Sequence, residues 1–147
     1  MKNIEQFNLC AAHLLVKLHN HFPVGIKLRP AEIVRELNGA IADGVVNKVD
    51  ANTFVAYTVR WLVQTGYFLE REGTTTANNK YVLSPKAFEA LNAALPAALG
   101  GKTKEEQKTV GEKLAEAAMT TGKEAGKEAK TQTIRQIIGW ILGLAFS

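Results

Sequence analysis

Apolar positions along this chain repeat with two different periods, and turn residues between them divide it into short elements. Phe7, Cys10, Ala11, Leu14, Leu15 and Leu18 recur every three or four residues, which predicts an amphipathic first helix ending before Pro23. Asn3 is placed to cap that helix, with Gln6 as its capping-box partner. Residues 24–28 alternate between prolines and predict a short edge strand or extended link. Pro30 opens a second helix over Ala31–Leu37, stopped by Asn38-Gly39. Asp50 caps a third helix that runs to about Thr65 and stops at Gly66. Two strand-like runs follow, Tyr67–Glu72 and Lys80–Ser84, joined by the polar loop Gly73–Asn79. Ser84-Pro85 then opens a fourth helix carrying Ala87, Phe88, Leu91 and Leu95.

The pattern changes near residue 100. Beyond Pro96 and Gly100-Gly101 the chain is rich in Lys, Glu, Ala, Thr and Gly, with no aromatic residue before Trp140. This divides it into a domain over 1–98, a hinge at 99–103 and a helical tail over 104–147. Within the tail Val110, Leu114, Ala117 and Ala118 form a narrow stripe, while Gly111, Gly122 and Gly126 each cost a helix ~1 kcal/mol relative to Ala. The last stretch, Ile134–Phe146, is apolar all round. At ~1.5 Å per residue it spans about 20 Å, less than the ~30 Å hydrocarbon core.

Composition bounds the class of protein without choosing a function. In 147 residues, 46% hydrophobic and 22% charged positions describe a globular chain rather than a disordered one. The net charge of +4 is spread evenly: ten Lys/Arg against eight Asp/Glu up to residue 99, then eight against six. That permits an anionic partner without demanding one. A single cysteine excludes an intramolecular disulfide framework, and the first helix lacks a cleavage pattern, so a cytoplasmic protein is expected.

The order helix, short strand, helix, helix, strand, loop, strand, helix brings a family into view. Trp61-Leu62-Val63-Gln64-Thr65-Gly66-Tyr67-Phe68, followed by Lys80-Tyr81-Val82-Leu83-Ser84-Pro85-Lys86-Ala87-Phe88, resembles the winged helix-turn-helix domain of multiple-antibiotic-resistance-type and PadR-type bacterial regulators. The likeness covers roughly residues 5–95. It implies a mainly α fold with a small β-hairpin, a winged helix-turn-helix domain followed by the helical tail. It also implies a non-enzymatic regulator of transcription that binds duplex DNA as an oligomer. In such a domain helix 50–65 enters the major groove and the wing at 67–84 reaches the backbone or minor groove. Asn52, Thr53, Arg60 and Gln64 then become candidates for base edges, with Arg60 suited to guanine and Gln64 or Asn52 to adenine. Arg29, Arg35, Lys48, Arg71 and Lys80 become candidates for phosphates. Phe54, Tyr57, Val59, Trp61 and Leu62 are assigned to packing. Phe7, Leu14, Leu15, Ile33, Leu37, Tyr67, Tyr81, Leu83, Phe88 and Leu91 are expected to share that core.

Other chemistry finds little purchase. Cys10, His13, His19 and His21 lie close together, but their spacing matches no zinc motif and Cys10 sits in the apolar stripe. No nucleophile elbow, phosphate loop, dinucleotide fingerprint or paired carboxylates can be named. No metal, no cofactor and no catalysis are expected. The apolar end of the tail needs a cover. Self-association through Ile137, Ile138, Trp140, Ile141, Leu144 and Phe146 is the first expectation, docking back on the domain the second, a membrane surface the third. An adaptor that uses the winged domain and tail for protein or membrane contacts without touching DNA is the alternative function.

Overall fold

The computed structural model describes residues 2–41, 48–71, 79–96, 108–119 and 127–143. Its architecture is set by the first helix, α1 (Lys2–His21), because every residue from Cys10 to Val16 is buried. A helix buried over seven consecutive positions has neighbours on all sides rather than along one stripe. On one side lies α3 (Ala51–Gln64), and on others lie the two tail helices, α5 (Val110–Met119) and α6 (Lys127–Ile141). Asn3 lies inside α1 and does not cap it, since the helix already begins at Lys2.

Local chemistry accounts for most of the remaining boundaries. The second helix, α2 (Pro30–Glu36), starts on a proline whose missing N–H costs nothing in a first turn, and it buries Ile33 against α3. It is tied to α1 by His13, which donates through Nε2 to Glu36 Oε1 (2.7 Å), and by Lys17 Nζ, which donates to Glu36 Oε2 (2.6 Å). For α3, the Asp50 carboxylate accepts the Thr53 backbone N–H at 2.7 Å. The helix ends in a Schellman motif: Tyr67 N–H reaches Leu62 O (2.8 Å), Gly66 N–H reaches Val63 O (3.1 Å), and Gly66 takes φ +85°.

That turn launches an antiparallel hairpin of β1 (Phe68–Arg71) and β2 (Lys80–Leu83), with Phe68 opposite Leu83 and Arg71 opposite Lys80. The expected edge strand at 24–28 shrinks to one bridge, in which Ile26 and Tyr81 exchange both backbone bonds (3.0 and 2.7 Å). Ser84 caps the next helix, α4 (Pro85–Asn92), by accepting Ala87 N–H. The described residues therefore form six helices and one two-stranded hairpin, a mainly helical fold.

The tail is where expectation and structure part. The hinge at 99–103 lies outside the described residues, but the chain comes back alongside the end of α4. There Leu95 N–H bonds Lys108 O, and Val110 N–H bonds Ala93 O, both at 2.9 Å. A capping box absent from the reading above starts α5: Glu112 accepts Thr109 N–H, and Thr109 Oγ1 accepts Glu112 N–H. Val110, Leu114, Ile134, Ile137 and Ile138 then join Leu14, Leu15 and Leu62 in one buried cluster. The tail is part of the core and not an appendage.

Ile137, Ile138 and Ile141, expected to pack against a second chain, are buried within their own chain, where α6 meets α1, α4 and α5. Trp140 is half-buried against the same cluster, and Leu144 and Phe146 lie outside the described residues. Docking in cis prevails because it buries the same apolar area without the translational and rotational cost of associating two molecules. Among the described residues no helix is long and apolar enough to cross a membrane. Two aromatics assigned to packing also stay outside: Trp61 is 37% and Tyr57 60% exposed. Phe54, Phe7, Tyr67, Tyr81 and Phe88 only flank the core.

Three expected outcomes follow from this packing. A chain ending at Gly101 uncovers the α5- and α6-facing sides of α1, and light scattering is expected to report aggregation instead of a clean monomer. Gly111 sits where an added Cβ would meet Leu91 O at 2.9 Å. The steric cost of Gly111→Ala, ~1–3 kcal/mol, therefore outweighs the ~1 kcal/mol of helix propensity gained, and urea denaturation should show net loss. Finally, burial acts to raise the Glu36 carboxyl, but Lys17 and His13 outweigh it and hold the group below its ordinary 4.5. The Thr53 and Thr109 backbone N–H groups hold Asp50 and Glu112 below 3.8 and 4.5. A carboxylate depressed in the folded state stabilises above its ordinary value and loses that contribution as pH falls through its folded value. Stability should thus drop in acid below about pH 4.5, with a shallower drop in Glu36→Gln.

Candidate nucleic-acid interface

One face of α3 is left open by the packing of the other. Val55, Thr58, Val59 and Leu62 turn inward, and the polar Thr58 hydroxyl is satisfied by donating to Phe54 O at 2.9 Å. What remains outward is Asn52, Ala56, Tyr57, Arg60, Trp61 and Gln64, positions spaced by three or four along the helix. No carboxylate lies within α3, and that of its cap, Asp50, is engaged by Thr53 N–H. Thr53, a candidate for base edges, is half-buried at the first turn.

Between this face and the hairpin runs an open cleft of about 750 Å³. Its walls include Lys27 and Arg29 from the link before α2, Arg60 and Gln64 from α3, and Glu70 and Tyr81 from the hairpin. The floor is apolar, supplied by Leu28, Val59 and Val63. The cleft exists because the Ile26–Tyr81 bridge holds the Lys27–Pro30 link beside β2, while the Schellman turn fixes where the hairpin leaves α3.

The candidate residues fall into three groups. Arg29, distant in sequence, meets Arg60 and Gln64 of α3 on the cleft. Arg71 and Lys80 face each other across the hairpin, and both flank Gly25, where an added Cβ would lie 3.3 Å from Lys80 Cβ and 3.5 Å from Arg71 Cδ. Asn52 and Thr53 lie in the first turn of α3, Lys48 lies in the turn before its Asp50 cap, and Arg35 is exposed in the last turn of α2; none of these four lines the cleft. Residues 72–78, expected to form the tip of a wing, lie outside the described residues. Lys27, Asn79 and Tyr81 were missed as lining residues. For Lys27 the signal was present, since Ile26 and Leu28 turn toward the core and the alternation sends Lys27 the other way.

The electrostatics of the face are cationic with one acid inside it. Among the described residues Arg29, Arg35, Lys48, Arg60, Arg71 and Lys80 make no ion pair, whereas Lys17 and Lys108 are paired with glutamates elsewhere. Glu70 accepts hydrogen bonds from the Asn79 amide and the Tyr81 phenol, so its charge is partly absorbed within the hairpin. Burial raises the Tyr81 phenol above 10.0, the Glu70 charge adds to the rise, and the Arg60 guanidinium opposes it. Tyr81 stays a neutral donor throughout the physiological range.

The other reactive side chains are occupied in structural roles. Burial pushes the Cys10 thiol up to about 12, against a smaller opposing effect of its hydrogen bond to Thr58, so it carries no thiolate near neutrality. His19 donates to Asn92 Oδ1 (3.1 Å) and His21 to Lys17 O (2.9 Å). Among the described residues no three His, Cys, Asp or Glu side chains are grouped closely enough to hold a metal ion. What the open face can do chemically is hold anions on its cations and hydrogen-bond through Asn52 and Gln64. Compared with known proteins, the chain matches no family, no curated protein and no solved structure.

Proposed function

We propose that this chain is a non-enzymatic protein that binds duplex DNA through a winged helix-turn-helix domain and regulates transcription. The observation that carries the reading is the convergence of Arg29, Arg60 and Gln64 on one cleft between α3 and the hairpin, with Arg71 and Lys80 beyond it and, among the described residues, no ion pair on any of these cations. The element order supports it too. A helix, a bridged link, two helices, a hairpin and a further helix follow one another, with the link paired to the returning strand. In that arrangement α3 enters the major groove, the sugar–phosphate strand beside it lies along the cleft, and the hairpin meets the next stretch of backbone. Arg60 and Gln64 read base edges; Arg29, Arg71 and Lys80 hold phosphates. The tail helices act from behind, holding α1 against α3. Because Ile137, Ile138 and Ile141 are used within the chain, this reading needs no dimer formed through them.

A mobility shift with a random-sequence duplex at low and moderate salt tests the proposal. Binding should fall linearly on a log–log salt plot, with a slope of about −0.9 per phosphate contacted. Arg71→Ala should weaken all sequences alike and flatten that slope by about one unit, while Arg60→Ala should cost about 1–3 kcal/mol on a preferred site. No retardation even at low salt overturns the reading and leaves the adaptor.

A further inference from the structure

The exposed face of α3 has two flanks, and only one of them is polar. Arg60 and Gln64 turn toward the cleft. Tyr57 and Trp61, one turn apart, occupy the other flank, at 60% and 37% exposure. Trp61 is held in place by Phe7 of α1, ring edge to ring face at 5.3 Å and 89°. Two large aromatics on water cost the folded chain burial it could otherwise gain. We propose, resting on the DNA-binding reading above, that Tyr57 and Trp61 make the protein selective for thymine, by packing on the C5-methyl groups of A·T pairs in the major groove.

The chemistry of the flank fits that occupant. The thymine methyl is the one apolar group that base edges present in the major groove, and the adjacent O4 accepts hydrogen bonds. A tyrosine and a tryptophan each combine an apolar ring with a donor at its rim, O–H or indole N–H, matching methyl and O4 together. Charge argues for DNA as the partner bearing these methyls: Arg60 lies between the two rings in sequence, Arg29 lies across the cleft, and α3 contains no carboxylate. The Phe7 contact sets the Trp61 ring before DNA arrives, so less side-chain freedom is lost on binding.

The test uses the full chain and two alternating duplexes that differ only in the methyl, one of dA and dT, the other with deoxyuridine in place of every dT. Fluorescence anisotropy at fixed salt should show the deoxyuridine duplex bound about four-fold more weakly for each methyl buried. Tyr57→Ala should bring the two affinities together and leave the salt slope unchanged, because no charge is removed. Arg71→Ala, which removes a phosphate contact, should flatten the slope and keep the difference. Tyr57 is exposed enough that its truncation spares the core, which circular dichroism will check. Equal affinity for the two duplexes, with salt-dependent binding intact, overturns the methyl contact and leaves the DNA-binding reading standing. Tighter binding to single-stranded oligothymidine than to either duplex overturns it in favour of base stacking on the rings. No binding of either duplex at low salt overturns both readings together.

Discussion

The fold depends on covering a single helix. From Cys10 to Val16, α1 is buried at every position, including His13 and two alanines, so no one partner is enough to shield it. α3 covers one side, and α5 and α6 cover others. Each Leu or Ile buried there contributes ~1.5–3 kcal/mol, and Leu14, Leu15, Leu114, Ile134, Ile137 and Ile138 are all essentially inaccessible. Small residues allow the close approach. Ala11 and Ala12 on α1 leave room for neighbours, and Gly111 on α5 lies directly against Leu91 of α4. Gly111, which weakens the tail as an isolated helix, is thus part of the means by which it docks.

That scaffold positions the candidate interface from behind. α3 is held by its inward face and by its two ends, the Asp50 cap and the Gly66 turn, so its outward face is presented as a rigid row. The hairpin is anchored independently, at Ser84 N–H, which reaches Tyr67 O (3.0 Å), and at the Ile26 bridge. Lys86 secures the join by donating to Thr65 O at 2.7 Å and lying 4.1 Å from the Tyr67 ring centre. The cleft therefore lies between two separately fixed walls, and Arg29 and Arg60 are left to interact with what enters it.

Polar anchoring at α2 follows a different logic. α2 is two turns long and buries one large side chain, Ile33, too little to hold its orientation by packing alone. Glu36, engaged by His13 and Lys17 from α1, supplies the missing constraint with charge-assisted bonds at the helix's far end. The same bonds satisfy His13, which is only 8% exposed and would otherwise be a costly buried polar group. Orientation of α2 in turn directs Arg29 and Arg35, one at each end of the helix.

What the sequence determined by itself is the set of local structures. Hydrophobic period, proline at first turns, Asp50 and Ser84 as caps and Gly66 as a stop located α2, α3, the hairpin and the start of α4 to within a residue or two, because those signals act between neighbours along the chain; α4 itself ends at Asn92, before the Leu95 it was expected to carry. The free outward row of α3 was legible for the same reason, as was the apolar character of Ile134–Ile141. What covers each apolar face was not legible. A stripe at helical spacing states that burial is required and is silent on the partner, so Ile137 and Ile138 read first as surfaces for a second chain and only second as surfaces for their own. Nor does local pattern show that Trp61, an aromatic in an amphipathic helix, lies on the rim at Phe7, or that Lys27 and Arg29 come to stand beside Arg60. Those outcomes depend on contacts between residues far apart in sequence. Only the tertiary structure decides them, because burial free energy scales with the area removed from water, whichever element removes it.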